Sequence, residues 1–305
     1  MKLVTYKIND TTHQLGFIKD DVIINAEQLG KLKGDTLPNN MLEFIDLGKE
    51  GIAKATSLID NATTDELNKC SVSLSDAKLM APIPKPRKNV IGIGLNYTEH
   101  VAESARTLDT SKDLPQQPVI FSKPPTSVTG TGTNIIHNQD ITKQLDYEVE
   151  LAVIVSKRGK NVPKEDAMDY VYGYSVINDI SARDCRRSGQ WIVSKGQDTF
   201  APMGPMIVTA DEIADPHNLN LSLKLNGEER QNSNTKFMLF NINDLINDIS
   251  TVFTIESGDI IATGTPAGVG AGRDPQAFMW PGDVVEATVE GIGTITNTIV
   301  DSKDI

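Results

Sequence analysis

The residues with the most chemical meaning lie in one stretch, Gln144-Leu145-Asp146-Tyr147-Glu148-Val149-Glu150-Leu151-Ala152-Val153. Side chains two apart on a strand share a face, so Glu148 and Glu150 stand side by side. Residues 151–155 are wholly apolar and read as a buried strand. Two glutamates entering such a strand repel each other and lose their hydration unless a cation lies between them. A second apolar run, residues 174–178, ends in Asp179. Two Glu and one Asp offer hard oxygen donors, which suit Mg²⁺, with Mn²⁺ or Ca²⁺ as alternatives. No Cys/His pair at zinc spacing competes. The bland alternative is an edge strand with a solvated acidic face, and spacing alone does not separate the two.

Three further clusters carry possible chemistry. Asn96-Tyr97-Thr98-Glu99 reads as a helix start, with Asn96 as N-cap and Glu99 closing a capping box. His100 and Glu103 then share a helical face, where the carboxylate can orient the imidazole as a general base or form a plain surface pair. Ser181-Ala182-Arg183-Asp184-Cys185-Arg186-Arg187 follows Asp179, and Lys195 comes soon after. Cations beside a carboxylate trio serve either charge compensation or capture of an anionic substrate. Cys185 has cationic neighbours that can lower its pKa, but with no His in the motif it reads as structural, and His13, in the polar turn Thr11-Thr12-His13-Gln14, reads as a solvated loop residue. The glycine-rich run 262–273 lacks the Gly-Lys-Ser/Thr ending of a P-loop, and Gly92-Ile93-Gly94 lacks the third glycine of a dinucleotide fingerprint.

The elements that must position these groups are mostly strands. Residues 147–155, 172–180, 219–225, 259–262 and 283–289 carry strand signals, and helical spacing is confined to 96–106, 164–170 and 241–253. Strands do not alternate regularly with helices, so the expected class is β-rich α+β. Pro82-Ile83-Pro84-Lys85-Pro86 is a stiff, extended connector. It divides a small N-terminal domain, residues 1–80, from a catalytic domain, residues 81–305. In the first part, short strands at 1–8, 16–18 and 22–24 precede one helical pattern over 41–59.

The chain has 305 residues and a net charge of −12, from 41 acidic and 29 basic side chains. Residues 1–86 contribute 12 acidic and 10 basic, and residues 87–305 contribute 29 and 19, so −10 of the surplus lies in the second part. That sign argues against nucleic acid or an anionic membrane as partner. No apolar run reaches the ~18 residues of a membrane span. Two cysteines and an opening segment without a signal-peptide core point to the cytoplasm.

Taken together, the segments resemble the fumarylacetoacetate hydrolase family on four ordered motifs. These are Gly94-Leu95-Asn96-Tyr97 leading to His100-Val101-Ala102-Glu103, then Leu145 through Ala152, then Asn178-Asp179-Ile180-Ser181-Ala182-Arg183-Asp184, and Gly264-Thr265-Pro266-Ala267-Gly268-Val269-Gly270. The resemblance covers residues 80–295, and is nearest to bacterial members related to oxaloacetate decarboxylases and acylpyruvate hydrolases. It implies a mixed β-sandwich roll, a homodimer, and a Mg²⁺ or Mn²⁺ site made by Glu148, Glu150 and Asp179. It also implies a His100–Glu103 dyad on a lid, Lys195 as active-site lysine, and Gly264-Thr265 at the substrate carboxylate. Arg186 stands where the family usually has Gln, so a second substrate carboxylate enters consideration, and Lys195-Gly196 stands where Lys-Ser is commoner. The implied chemistry acts on a small-molecule 2-oxo acid through a pyruvate enolate. Acylpyruvate hydrolysis is the leading expectation. Oxaloacetate decarboxylation and isomerisation or tautomerisation of a 2-hydroxy-dienoate are alternatives. A metal-stabilised binding protein without catalysis would have no use for His100, Glu103 and Lys195.

Overall fold

A computed structural model describes residues 1–9, 12–107 and 113–305, with side chains except those of 105–107. The polar turn before Gln14 is therefore described from Thr12 onward, and its His13 is exposed. The fold is the β-rich α+β class expected, built on two sheets.

The larger sheet has 12 strands. Its centre is Val149–Val155, antiparallel to Val171–Asn178 on one side and to Ile260–Ala262 on the other. Val90–Gly94 and the edge strand Val119–Lys123 continue it beyond Ile260–Ala262. On the other flank Ala201–Thr209 pairs with Lys2–Lys7, which extends the sheet into the N-terminal segment. The second sheet has five strands, with Asn220–Leu225, Val284–Val289 and Gly293–Asp301 at its middle.

Period-two alternation divides the central strand between two cores. Val149, Leu151, Val153 and Val155 join a core with Leu221, Leu223, Val285, Ala287 and Ile295 of the second sheet. Ala152 and Ile154 face the other way, into a core with Leu3, Phe17, Phe44 and Ile45. Both faces are apolar, so every residue of Val149–Val155 is buried, Glu150 included. The edge-strand alternative for the two glutamates is thereby excluded.

Two local readings need correction. The pattern over 41–59 forms two helices, Met41–Asp46 and Gly48–Asp60, because Gly48 takes a φ of +57° that no helix interior tolerates. The stretch 164–170 is a 3₁₀ helix rather than an α-helix. The pattern over 241–253 is realised as Ile242–Val252, where Asn241 and Asp244 make a reciprocal capping box.

Arg87, just past the proline connector, ties the N-terminal segment to the rest. Its guanidinium donates to both Asp46 oxygens, at 2.9 and 2.6 Å, and to the Ser257 carbonyl at 3.3 Å. That fork holds the Asp46 carboxyl below its ordinary value, against a smaller opposing effect of burial. A depressed carboxylate pKa contributes stability that is fully present above the unfolded value and lost as pH falls through the folded one. Arg87→Ala should therefore cost about 0.5–1 kcal/mol near neutral pH, since both partners are well exposed. In urea melts, the gap between variant and parent should close below about pH 4. A gap that persists in acid would assign the effect to packing.

Candidate active site

The carboxylates meet because two strand ends meet. Val149 pairs with Asn178, which leaves Glu148 just before one strand and Asp179 just after its neighbour. The backbone closes the link, with the Asp179 N–H donating to the Glu148 carbonyl at 2.8 Å. The Asn178 side chain accepts from the Glu148 N–H at 2.9 Å. Carboxylate oxygens of Glu148, Glu150 and Asp179 lie within 4.8 Å of one another, and all three residues are buried.

Cations crowd this cluster. Lys195, at the end of the short helix Ile192–Lys195, donates to Glu148 Oε2 and Asp179 Oδ2, both at 2.7 Å. Lys123, wholly buried at the end of the edge strand, donates to Asp179 Oδ1 and to the Ile180 carbonyl. Arg183 pairs with Glu148 Oε1 at 2.6 Å and with Asp146 Oδ2 at 2.8 Å. Four buried carboxylates, those of Asp146, Glu148, Glu150 and Asp179, thus meet three cations.

The shortfall falls on Glu150. Its Oε2 accepts the Gly264 N–H at 2.8 Å, and it has no ion pair among the described residues. Burial, then Asp179 and Glu148, push its carboxyl well above the usual range, while Lys195 offsets only part of this. At Glu148 burial works in the same direction, but the charges of Lys195 and Arg183 overcome it and hold the carboxyl below its ordinary value. One uncompensated carboxylate among three hard oxygen donors fits a divalent cation. Glu148, Glu150 and Asp179 are the residues that would hold it.

The helix Thr98–Thr107 carries the dyad, and its His100 lines a cavity with Glu148 of this cluster. Asn96 does not cap the helix. Its side chain instead bonds the Phe240 N–H and carbonyl at 2.8 and 3.0 Å and the Thr263 carbonyl at 2.7 Å, fixing the base of the lid to a strand end. An Asn two residues before a helix satisfies the capping pattern equally well, so sequence alone misassigned it. His100 Nδ1 lies 3.2 Å from Glu103 Oε2, and both residues are buried. Glu103 also accepts the Gly268 N–H at 3.0 Å. The glycine-rich loop is pinned in turn by Asp146, which accepts from Gly270 and Ala271 N–H at 2.7 and 3.0 Å.

The remaining expected residues occupy definite places. Gly264 has a φ of +100°, and a Cβ there would stand 2.6 Å from Asn96 Cβ. Its N–H is committed to Glu150. The Thr265 hydroxyl donates to the Val149 carbonyl at 2.9 Å and accepts from Gln231 Nε2 at 2.8 Å. Arg186 is exposed and lines the same cavity as His100, Glu148, Arg183, Lys195 and Thr265. That cavity has room of about 30 Å³. Cys185 is buried, and burial followed by Asp184 pushes its thiol up, so its cationic neighbours do not activate it. Lys123, Asp146 and Gln231 were not picked out by sequence reasoning. A lysine ending a short strand, unlike the Glu-x-Glu pair, carries no spacing that marks it.

Three buried carboxylates beside a His–Glu dyad, carried on strand ends of a β-rich fold, are the features to set against known families. Residues 89–300 match the fumarylacetoacetate hydrolase C-terminal family, and the chain belongs to it. It is 41% identical to oxaloacetate tautomerase YisK of Bacillus subtilis over 98% of this chain and 100% of that one. It is 40% identical to mitochondrial oxaloacetate tautomerase fahd2 of Xenopus laevis, over 87% and 80%. Among solved structures, a fumarylacetoacetate hydrolase of Exiguobacterium antarcticum superposes with a TM-score of 0.80 at 32% identity, covering 99% and 100%. Maleylpyruvate hydrolase of Sphingobium sp. SYK-6, in complex with manganese(II) and pyruvate, gives 0.76 at 27%, covering 99% of each chain.

Two outcomes follow from this geometry. Mn²⁺ or Mg²⁺ should raise the melting temperature, because the cation binds the folded cluster alone. Glu150→Gln should melt no lower than the parent without added metal, since it removes a repelling charge, and should lose the metal-induced rise. A full rise in that variant would place the ion elsewhere. Separately, a Cβ on Gly272 would stand 2.1 Å from the Glu103 carboxyl, the far end of a flexible side chain. Gly272→Ala should displace that carboxyl and cut turnover by at least about tenfold, with the melting temperature within about 2 °C of the parent. Unchanged turnover would remove Glu103 from the machinery.

Proposed function

We propose that the chain catalyses divalent-metal-dependent proton transfer on a 2-oxo acid, interconverting its keto and enol forms. The observation that carries this reading is the His100–Glu103 dyad closed over the three-carboxylate cluster in a cavity of about 30 Å³. That is room for only a few water molecules, so a substrate enters when the lid lifts, and a compact one fits best beneath it. The names of the two tautomerase relatives point the same way. A bound Mg²⁺ or Mn²⁺ supplies Lewis acidity, which favours the enolate of a 2-oxo acid over its other forms.

The protein's own groups do the proton work. A carboxylate only accepts, so Glu103 fixes the proton of His100 on Nδ1 and leaves Nε2, 3.5 Å from the Ser104 hydroxyl, as the basic nitrogen. His100 then takes a proton from C3 of the acid, and the same imidazolium or a water returns one to the keto oxygen. The C3–H pair becomes the C2=C3 π bond, the C2=O π pair moves to the oxygen that takes the proton, and His100 carries a proton only in transit, so no co-reactant is required. Lys195, anchored by Glu148 and Asp179, puts a fixed positive charge beside the developing oxyanion. Thr265 and Gly264 hold the floor of the site through Val149 and Glu150.

A second reading, hydrolysis of an acylpyruvate to pyruvate and a carboxylic acid, has support in the likeness to maleylpyruvate hydrolase. It needs the same enolate and adds an attacking water, with His100 as the base that activates it. Decarboxylation of oxaloacetate shares the enolate and needs neither water nor base.

One experiment separates these. Enolisation of oxaloacetate, its decarboxylation and cleavage of acetylpyruvate are followed side by side with Mg²⁺, with Mn²⁺ and with chelator. Enolisation should lead by more than about tenfold in kcat/KM, should vanish with chelator, and should fall by ~10²–10⁴ in His100→Ala. Acetylpyruvate cleavage as the fastest reaction would overturn the tautomerase reading in favour of the hydrolase.

A further inference from the structure

Among the described residues, the site contains one cation that is given no anionic partner. Arg186 makes no ion pair among the described residues, although Arg183 three residues earlier is committed to Asp146 and Glu148. Its placement follows from a two-residue hairpin turn. Ser188 and Gly189 have φ of +46° and +80°, both positive as a tight hairpin requires, and Arg187 pairs with Gln190. Arg186 and Trp191 flank that bridge on either side, and the guanidinium lies over the indole, 4.6 Å from its centroid. A planar cation on an aromatic face is held by the ring quadrupole while its N–H edge stays open for a planar acceptor.

Trp191 is itself held. Its ring packs 5.4 Å from that of Phe121, and a Cβ on Gly94 would stand 2.6 Å from it. The arginine is thus mounted on a fixed wall of the catalytic cavity, which both residues line together with Glu148 and His100. Partial desolvation and the nearby Arg183 disfavour the charge on Arg186, and Glu148 offsets only part of that.

We propose that Arg186, mounted on Trp191, is the specificity-determining residue that pairs with a second carboxylate of the substrate. The preferred substrate is then a short 2-oxo dicarboxylate, with its 2-oxo acid end at the carboxylate cluster and its far carboxylate at the hairpin. A guanidinium at this place supplies a charge that discriminates between acids and their neutral analogues. This inference rests on the 2-oxo acid reading above, and its test is arranged so that the two fail separately.

The pair of substrates is oxaloacetate and its 4-methyl ester, equal in reach and different in the far charge. The parent enzyme should favour the diacid by at least about thirtyfold in kcat/KM. In Arg186→Gln that preference should drop by at least about tenfold, through KM rather than kcat. Arg186→Lys, which keeps the charge, should retain most of it. An unchanged preference in Arg186→Gln, or an equal loss for diacid and ester, overturns the inference. A binding readout stands apart from turnover: quenching of tryptophan fluorescence by malate against lactate, with Mg²⁺ present. Malate should bind the parent at least about tenfold more tightly, and the gap should collapse in Arg186→Gln. A gap that survives overturns Arg186 as the selector, whereas failure of the parent to enolise either substrate overturns the function and leaves this binding test in force.

Discussion

The structure turns on the burial of like charges at one point, where Glu148, Glu150 and Asp179 stand together out of water. Such a cluster survives only if cations and N–H donors surround it. Lys195, Lys123 and Arg183 supply the first, and the Gly264 N–H contributes to the second. Arg183 also holds Asp146, Asp146 holds the loop N–H groups of Gly270 and Ala271, and the same loop donates from Gly268 to Glu103. A continuous series of charge-assisted contacts therefore runs from the carboxylates to the lid. A change in compensation at one end is felt at the other, because each group in the series has its charge or donor already committed.

The same requirement explains why this sheet is built as it is. Three carboxylates converge only if two antiparallel strand ends lie in register and a third strand end stands beside them. Val149–Val155, Val171–Asn178 and Ile260–Ala262 provide that. Holding repelling groups at their ends calls for strands that are otherwise well anchored, and the central strand is apolar on both faces. Its two cores come from different halves of the chain, one from the second sheet and one from the N-terminal helices. The N-terminal segment thus reaches the site indirectly, by packing against the strand that carries Glu150. The turn into the helix Thr98–Thr107 carries local backbone strain at Leu95, which takes a φ of +56°.

What the amino-acid order made legible was chemistry with short-range spacing. Glu148 and Glu150 are two apart, His100 and Glu103 three apart, and Asp179 follows an apolar run. Each of these relations survives in the structure. Long-range relations were not legible. Lys2–Lys7 pairs with Ala201–Thr209 across the length of the chain, and no local pattern encodes such a register. Lys123 is recognisable as a compensator only once Asp179 is seen beside it, and which of the 181–187 arginines compensates is decided only when Arg183 is seen against Asp146 and Glu148. Asn96 shows the opposite failure. Its capping signature is real as a pattern, but three backbone partners contributed by distant residues outcompete the helix end for its amide.

For a chain of net charge −12, the proposed organic-anion substrate presents a problem of sign. Global charge acts over distances that salt screens, whereas a buried site answers to the charges within a few ångströms. Here those charges are unbalanced in two places of opposite sign. Among the described residues Glu150 has no ion pair with a cation, and Arg186 has none with an anion. The first deficit is of the kind a divalent ion corrects, and the second of the kind a carboxylate corrects. Glu148, which abuts the first, lines the same cavity as the second. Metal and diacid would therefore each complete a balance that the polypeptide leaves open, and the −12 of the whole molecule sets the company the protein keeps in solution without deciding what its active site admits.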